Sequence, residues 1–542
     1  MRAQTFAYLT ILVLSSIFFC SCTKSCSNPI DHTGFINIAV SSPIETLDAR
    51  YATSANSLRI SGLVFAPLLT LGDDLSPQPF LAKSIEILDE KTFKITLHPN
   101  LKFHDGTPIT ADDVVYTFDQ LSSKNVSSPH AQKFNYLKDI QKISPTEVIF
   151  ELKKVFAPFL TDICALGIVS KNSCLGRSQE CRHEYNGSGP FKVKEWNKAK
   201  EEIIFEPFAD WWEGAPKNPL FVRIVRDENT RLLELMGQKT DLVQGDISPQ
   251  NILELKKQAY LDVEQIAGTG YSYLAINVRG PKKNDKENSE SYLTHKALAS
   301  IKVRKAIAHA IDFDKIIEKI LLGTAKRVSG LIPNGHWAKD PSLKVPAYDP
   351  KKAEKELDEA GFPRLSGHRP RFQLTIATTP NRMRQGIAQL YADYLGKIGI
   401  EVNIRVKDWG ALYQDMKQGN FDLFSAIWVP VTEPDLYHWV HHSENIPDLD
   451  GSGGNRHGYR NQKVDKLIEQ ARSIISPQER KMLYHQIEQI LLDELPYIPL
   501  WNEDQIVIYN KIRLHNFKAH PTGSLLGLRK AYIEPLKKKA NN

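Results

Sequence analysis

His438, His441 and His442 stand at positions i, i+3 and i+4, with Asp435 one turn earlier. That spacing puts imidazoles and a carboxylate on one helix face, the pattern of a borderline divalent-cation site. Histidines at the end of a surface helix share the spacing without any metal. We take the helix-end reading, expect no metal centre and no cofactor, and keep the three histidines as the alternative. No catalytic set accompanies them. The chain has neither a G-x-x-x-x-G-K-[ST] phosphate loop nor an H-E-x-x-H zinc helix, and it lacks a G-x-S-x-G nucleophile elbow. Gly187-Ser188-Gly189 and Gly451-Ser452-Gly453-Gly454 are without the strand-then-helix setting of a phosphate loop and read as turns. Aromatic residues are more suggestive. Trp409 and Trp428 flank a strand-loop segment, and Trp337, Trp439, Tyr271 and Tyr273 fall at strand ends or turns, where rings either fill a core or wall an enclosed cavity. Missing motifs do not by themselves exclude an enzyme, because catalytic triads assemble across a sequence.

The elements that position these residues belong to a large soluble chain. Of 542 residues, 42% are hydrophobic and 24% charged, and at roughly 100 to 200 residues per domain the length implies several domains. The 69 Lys+Arg and 63 Asp+Glu leave a net charge of only +6, with the signs mixed along the chain, so nucleic acid is not the expected partner. Arg2 precedes an apolar run from Phe6 to Phe19 that is too short to span a bilayer comfortably. It ends in Cys20-Ser21-Cys22, similar to a bacterial lipoprotein cleavage box. Residues 1–21 are read as an export signal and Cys22 as the lipidated residue, which places the rest of the chain outside the cytoplasm on a lipid anchor. In that oxidising space Cys26, Cys164, Cys174 and Cys181 are free to pair. Cys174 with Cys181 is one short bridge among those possible, and no C-x-x-C pair suggests zinc.

Alternating apolar runs interleave with capped amphipathic helices, which predicts an α/β protein. Phe93, Ile95 and Leu97 form one strand and Val148, Phe150 and Leu152 another. Between them, Thr110 and Asp113 cap a helix that buries Val114, Val115, Phe118 and Leu121. Later, Val303, Ala306, Ile307 and Ala310 have helical spacing, and Asp312, Asp349-Pro350 and Ser476-Pro477 each open a helix. Phe372, Leu374 and Ile376 form a strand, as do Val402, Ile404 and Val406. Two α/β halves of similar size result.

In this order the blocks resemble the large extracytoplasmic solute-binding proteins of ABC importers, in the oligopeptide, dipeptide and nickel class. The longest is "LAKSIEILDEKTFKITLHPNLKFHDGTPITADDVVYTFDQL", Leu81 to Leu121. It is followed by "GSGPFKVKEW", "VRKAIAHAIDFDKIIEKILLGTA", "DPKKAEKELDEAGF", "FDLFSAIW" and "VDKLIEQA". The resemblance implies a two-lobed periplasmic-binding-protein fold of type II, large class, hinged around a ligand cleft, with a subdomain inserted in the first lobe. On this chain the first lobe would take residues 22–54, 184–270 and 500–542, the insert 55–183, and the second lobe 271–499. It also implies a monomer that captures peptides and works with a permease and a partner ATPase, which accounts for the missing phosphate loop.

Residues carried over from the resemblance are Trp409 and Trp428 as pocket walls, and Ser42, Pro43 and Ile44 as a loop giving main-chain hydrogen bonds to an extended ligand. His130, Asp246 and Tyr273 take further pocket positions. There are departures. Val431 stands where peptide binders carry the aspartate that holds the ligand ammonium, and Met416 and Ser425 stand where oligopeptide binders place arginines. Either Glu433 or Asp435 then replaces the ammonium anchor, or the ligand is a metal chelate, glycan or peptidoglycan fragment. An exported hydrolase or an adhesin on the same scaffold is the reading from outside this class.

Overall fold

The strand Tyr497–Asn510 joins the two halves of the molecule in the computed structural model, which describes residues 32–122, 128, 130–174, 185–280, 282, 285–287, 289–367, 369–447 and 452–534. Its first half pairs antiparallel with Tyr271–Ile276 and Ala325–Arg327, and its second half with Leu242–Gln244 and Leu261–Ala267. On one side the sheet continues through Leu242–Gln244, Ile36–Val40, Leu220–Ile224, Glu202–Pro207 and Phe191–Asn197. On the other it runs through Tyr271–Ile276, Leu423–Trp428, Phe372–Thr378 and Ile400–Val406. Ile36–Val40 lies parallel to both neighbours and is buried at every residue, as a strand covered on both faces must be. The result is a two-lobed α/β fold whose lobes share one strand.

Thr92–Leu97 and Glu147–Leu152 are the central strands of a separate sheet, flanked by Ala82–Asp89 and Leu137–Ser144. The alternating Phe93, Ile95, Leu97, Val148, Phe150 and Leu152 enter one core with Val114, Phe118 and Leu121 of helix Ala111–Ser122. The cap of that helix is built by Thr110 and Asp113, with Asp113 Oδ2 accepting from Thr110 N (2.9 Å). The Thr110 hydroxyl donates to Asp113 Oδ2 (3.0 Å), while the Asp113 N–H bonds the Thr110 carbonyl (3.1 Å). The helices at Phe313–Lys319, Pro350–Glu359 and Pro477–Glu494 begin at Asp312, Asp349 and Ser476, each of which accepts from a backbone N–H in the first turn.

Helix Ala55–Val64 buries Ile60, Leu63 and Val64 in the core around Ile36–Val40. Its end is clasped by Gly187-Ser188-Gly189. A Cβ on Gly187 would lie 2.0 Å from the Val64 carbonyl oxygen, so only glycine allows this approach. The Ser188 hydroxyl accepts from Ala66 N (3.0 Å) and donates to the Ile168 carbonyl (2.9 Å), stitching three segments together. Cys174 is disulfide-bonded, whereas Cys164 keeps a thiol that donates to the Leu160 carbonyl. Residues 1–21, Cys22, Cys26 and Cys181 lie outside the described residues. Among those described, no helix is long and apolar enough to cross a membrane.

Candidate functional site

The chain crosses between the lobes at Gly268-Thr269-Gly270 and again along the shared strand near Glu503. A Cβ on Gly268 would fall 2.5 Å from the Glu503 carbonyl oxygen, so glycine is what lets the crossings touch. Buried Asn502 fastens them, its Nδ2 donating to the carbonyls of Gly268 (2.9 Å) and Gly270 (2.6 Å) and its Oδ1 accepting from Asn334 N (3.2 Å). Above these crossings lies a cavity of about 1190 Å³, larger than the roughly 300–1,000 Å³ of sites that enclose a small organic molecule. The second lobe supplies Ile427, Val429, Pro430 and Thr432 to its wall. The first lobe supplies one face of helix Ala55–Val64, namely Ala55, Leu58, Arg59 and Gly62 at i, i+3, i+4 and i+7.

The wall carries charges of both signs. Lys133 pairs with Asp162 (2.7 Å), Arg529 with Glu213 (2.6 Å) and Lys518 with Asp73. The carboxylates of Asp74, Glu503 and Asp504 accept from Ser76, Ser272 and Gln265, neutral partners. Arg59 donates from Nη1 to Asn56 Oδ1 (3.2 Å), and its buried Nε has no partner. Burial makes this guanidinium release its proton more readily than usual, an effect that Asp246 opposes through space.

A buried seam closes one side of the cavity. Glu433 of the second lobe takes a hydrogen bond from Thr161 Oγ1 (2.8 Å) and an ion pair from Arg480. Asp435 pairs with Arg472 (2.8 Å), whose carbonyl accepts from Ala157 N (2.9 Å) across the seam. Desolvation pushes the Asp162 carboxyl up to about 6 and that of Asp435 up to about 7, with Glu433 adding to both. Both hold protons more tightly folded than unfolded. Their contribution to stability is therefore full at low pH and is lost as pH rises from about 4 through 6 and 7. Buried His336 works oppositely, since burial lowers it to about 4 and its contribution is lost as pH falls below its ordinary range. Asp435→Asn keeps the contribution of His336 and removes that of Asp435. Melting temperatures from pH 4 to 8 are expected to decline less toward neutral pH in this variant than in the wild type. Parallel profiles would show that Asp435 does not titrate in this window.

The sequence-derived residues fall around the cavity and outside its lining. Ser42 accepts from Asn56 Nδ2 (2.8 Å), the neighbour of Arg59, and Asp246 accepts from the Ser41 hydroxyl (2.5 Å). Pro43 is exposed, and Ile44 packs into the first-lobe core. His130 Nε2 lies 2.8 Å from the Ala52 carbonyl oxygen and so steadies the loop that brings Ala49 and Thr53 to the wall. Trp428 sits between wall residues Ile427 and Val429 on an alternating strand. Its ring joins a ladder with Tyr273 (6.2 Å) and with the Arg456 guanidinium (5.3 Å), which also covers Tyr413 (4.7 Å). Tyr273 stacks on Tyr497 (4.2 Å) inside the second lobe. Trp409 touches Tyr413 at the outer end of this ladder and is 52% exposed. Glu433 pairs with Arg480 and Asp435 with Arg472 at the seam. Val431 and Met416 are core residues. His441 turns inward to His457 (3.3 Å), while His438, His442 and Glu444 place ligand-type atoms within 4.8 Å of one another.

Arg59, Asn502 and the glycines at the crossing are missing from the sequence reading. The stripe of Arg59 complements the apolar stripe Ile60, Leu63 and Val64, so on periodicity alone it is a solvent face. Asn502 acquires its role from a segment more than two hundred positions away.

The profile of the bacterial extracellular solute-binding proteins, family 5 (middle region), matches residues 76–445. The oligopeptide-binding protein AppA of Bacillus subtilis (strain 168) is 27% identical over 565 residues, covering 98% of this chain and 99% of its own. The glutathione-binding protein GsiB of Escherichia coli (strain K12) is 26% identical over 529 residues, covering 94% and 96%. Among solved structures, AppA from Bacillus subtilis in complex with a nonapeptide superposes with a TM-score of 0.71 at 26% identity, over 92% of this chain and 99% of that one. DppA from Helicobacter pylori in complex with the peptide STSA gives 0.70 at 26% identity, over 92% and 98%. The chain belongs to the family 5 extracellular solute-binding proteins. That is a family of solute binders and not of enzymes.

Proposed function

We propose that this chain is the substrate-binding lipoprotein of an ABC importer, anchored through Cys22 outside the cytoplasmic membrane, capturing short peptides and handing them unaltered to a permease and its ATPase. The observation that carries this reading is the interlobe cavity of about 1190 Å³ with cationic and anionic groups on one wall. A zwitterionic chain suits such a wall, because each terminal charge finds a partner that replaces its hydration. Gly72, Gly167, Gly268 and Gly270 line the same space, and backbone brought close to a ligand favours sequence-tolerant main-chain hydrogen bonds. In this reading the lobes hinge at Gly268–Gly270 and at the shared strand around Glu503, where the chain crosses between them. Closure about this hinge lets a ligand that touches both lobes stabilise the closed state. Trp409, Trp428 and Tyr273 act as a stiff backing to the strand that carries Ile427 and Val429. Ser42, Asp246 and His130 hold the loops around Arg59, and Glu433 and Asp435 latch the seam.

Native mass spectrometry of the protein as isolated tests the reading. Peptides retained at one per chain and recovered with intact bonds are expected. Recovery of a metal chelate or a sugar, or of cleaved peptides, would overturn it.

A further inference from the structure

A cation in a protein interior is normally matched by a carboxylate, because leaving it unmatched is costly. Arg59 departs from this rule. Among the described residues, Lys133, Lys518 and Arg529 of the cavity wall each meet a carboxylate, and Lys530 is exposed. Arg59 is partly buried on the wall and, among the described residues, forms no ion pair within 4.0 Å and has a buried Nε without a hydrogen-bond partner. The carboxylate with the strongest influence on it, Asp246, is engaged by the Ser41 hydroxyl.

The position is also built. Gly523 has φ of +74°, and a Cβ there would lie 2.8 Å from both Nε and Nη2 of Arg59. Only glycine lets this turn lie against the guanidinium, and Gln244 Nε2 fixes the turn by donating to the Gly523 carbonyl (2.8 Å). Gly245 approaches from another side, where a Cβ would lie 3.7 Å from Nη1. Asn56 holds Nη1 from one helical turn before. The fork is thus oriented by neutral groups and left without a counter-charge of its own. Ser61, two residues along the helix, adds a buried hydroxyl without a partner to the same wall.

We propose that Arg59 is the anion anchor of the cavity and takes a carboxylate of the ligand, so that the solute is one carrying a free carboxylate. This rests on the peptide reading above, and it supplies a determinant which that reading leaves open. A guanidinium suits the task because its planar fork engages both oxygens of a carboxylate. The carboxylate comes either from the chain terminus or from an acidic side chain.

Calorimetric titration with three pools of random pentapeptides separates these cases: free acids, C-terminal amides lacking Asp and Glu, and C-terminal amides containing them. The wild type is expected to bind the free acids at least tenfold more tightly than the neutral amides. Arg59→Gln should bind both alike, at the level of the neutral amides, and Arg59→Lys should recover part of the preference. Acidic amides binding as well as free acids would assign the carboxylate to a side chain, still on Arg59. Equal binding of all three pools by the wild type, or a preference that survives in Arg59→Gln, would overturn the anchor and leave the peptide reading standing. Failure of every pool to bind the wild type would remove the peptide reading and the anchor with it. Folding is checked by melting without ligand, where Arg59→Gln is expected to match or exceed the wild type because an unmatched cation is gone. A markedly lower melting temperature would mean that the guanidinium serves the fold, which contradicts the proposal.

Discussion

Arg480→Met is expected to destabilise the protein by about 3–5 kcal/mol, the cost of leaving one member of a buried ion pair alone. Arg480 is 5% exposed. It pairs with Glu433, donates to Tyr484 Oη (3.1 Å) and the Ala471 carbonyl (3.2 Å), and lies over the rings of Trp337 and Tyr484. Methionine fills comparable volume, so the loss isolates the charge. Without the guanidinium, Glu433 keeps Thr161 as its hydrogen-bond donor, and the seam between the lobes loses its fixed latch. The double variant Arg480→Met, Glu433→Gln removes both charges and is expected to recover most of the loss. Urea denaturation of Arg480→Met, Glu433→Gln and the double variant reads this directly. A double-variant loss equal to the sum of the two single losses would show that the pair is not coupled. As a control, Lys94→Met at the surface pair with Glu147 is expected to leave the denaturation midpoint nearly unchanged.

Gly62→Trp is expected to abolish solute binding, by at least a hundredfold or about 2.7 kcal/mol, without unfolding the protein. Gly62 lies on the cavity face of helix Ala55–Val64, and a Cβ built there meets nothing within 4 Å. Its backbone is helical, so replacing glycine gains about 0.5 kcal/mol or more of helix propensity. The indole then projects into space the ligand needs. Gly62→Ala makes the complementary variant, with near-normal affinity and a slightly raised melting temperature. If Gly62→Trp bound the solute as the wild type does, the cavity described here would not be the binding site.

These two positions also mark what a sequence can and cannot disclose. Alternation through Phe93, Ile95 and Leu97, helical spacing through Val303 to Ala310, and the caps at Asp312, Asp349 and Ser476 are local properties, and each produces the element its pattern requires. The ordered blocks from Leu81 to Ala471 were enough to indicate a family. The cavity wall was not legible, because it is made of residues without local distinction. Gly62 and Arg59 share a stripe that looks solvated until a second lobe covers it. Trp428 was conspicuous by type, yet on an alternating strand its neighbours Ile427 and Val429 reach the cavity. Glu433 and Asp435 offered charge near a missing aspartate, but two arginines far along the chain, Arg472 and Arg480, already claim it. Whether a charge is free depends on pairings that only the fold brings about.

Small-angle scattering of the protein with and without the peptides it retains on isolation tests the central claim most directly. Two lobes hinged at Gly268–Gly270 and near Glu503 should contract on binding, with a smaller radius of gyration, and relax again when the peptide is removed. Stoichiometric binding with an unchanged scattering profile would contradict the account.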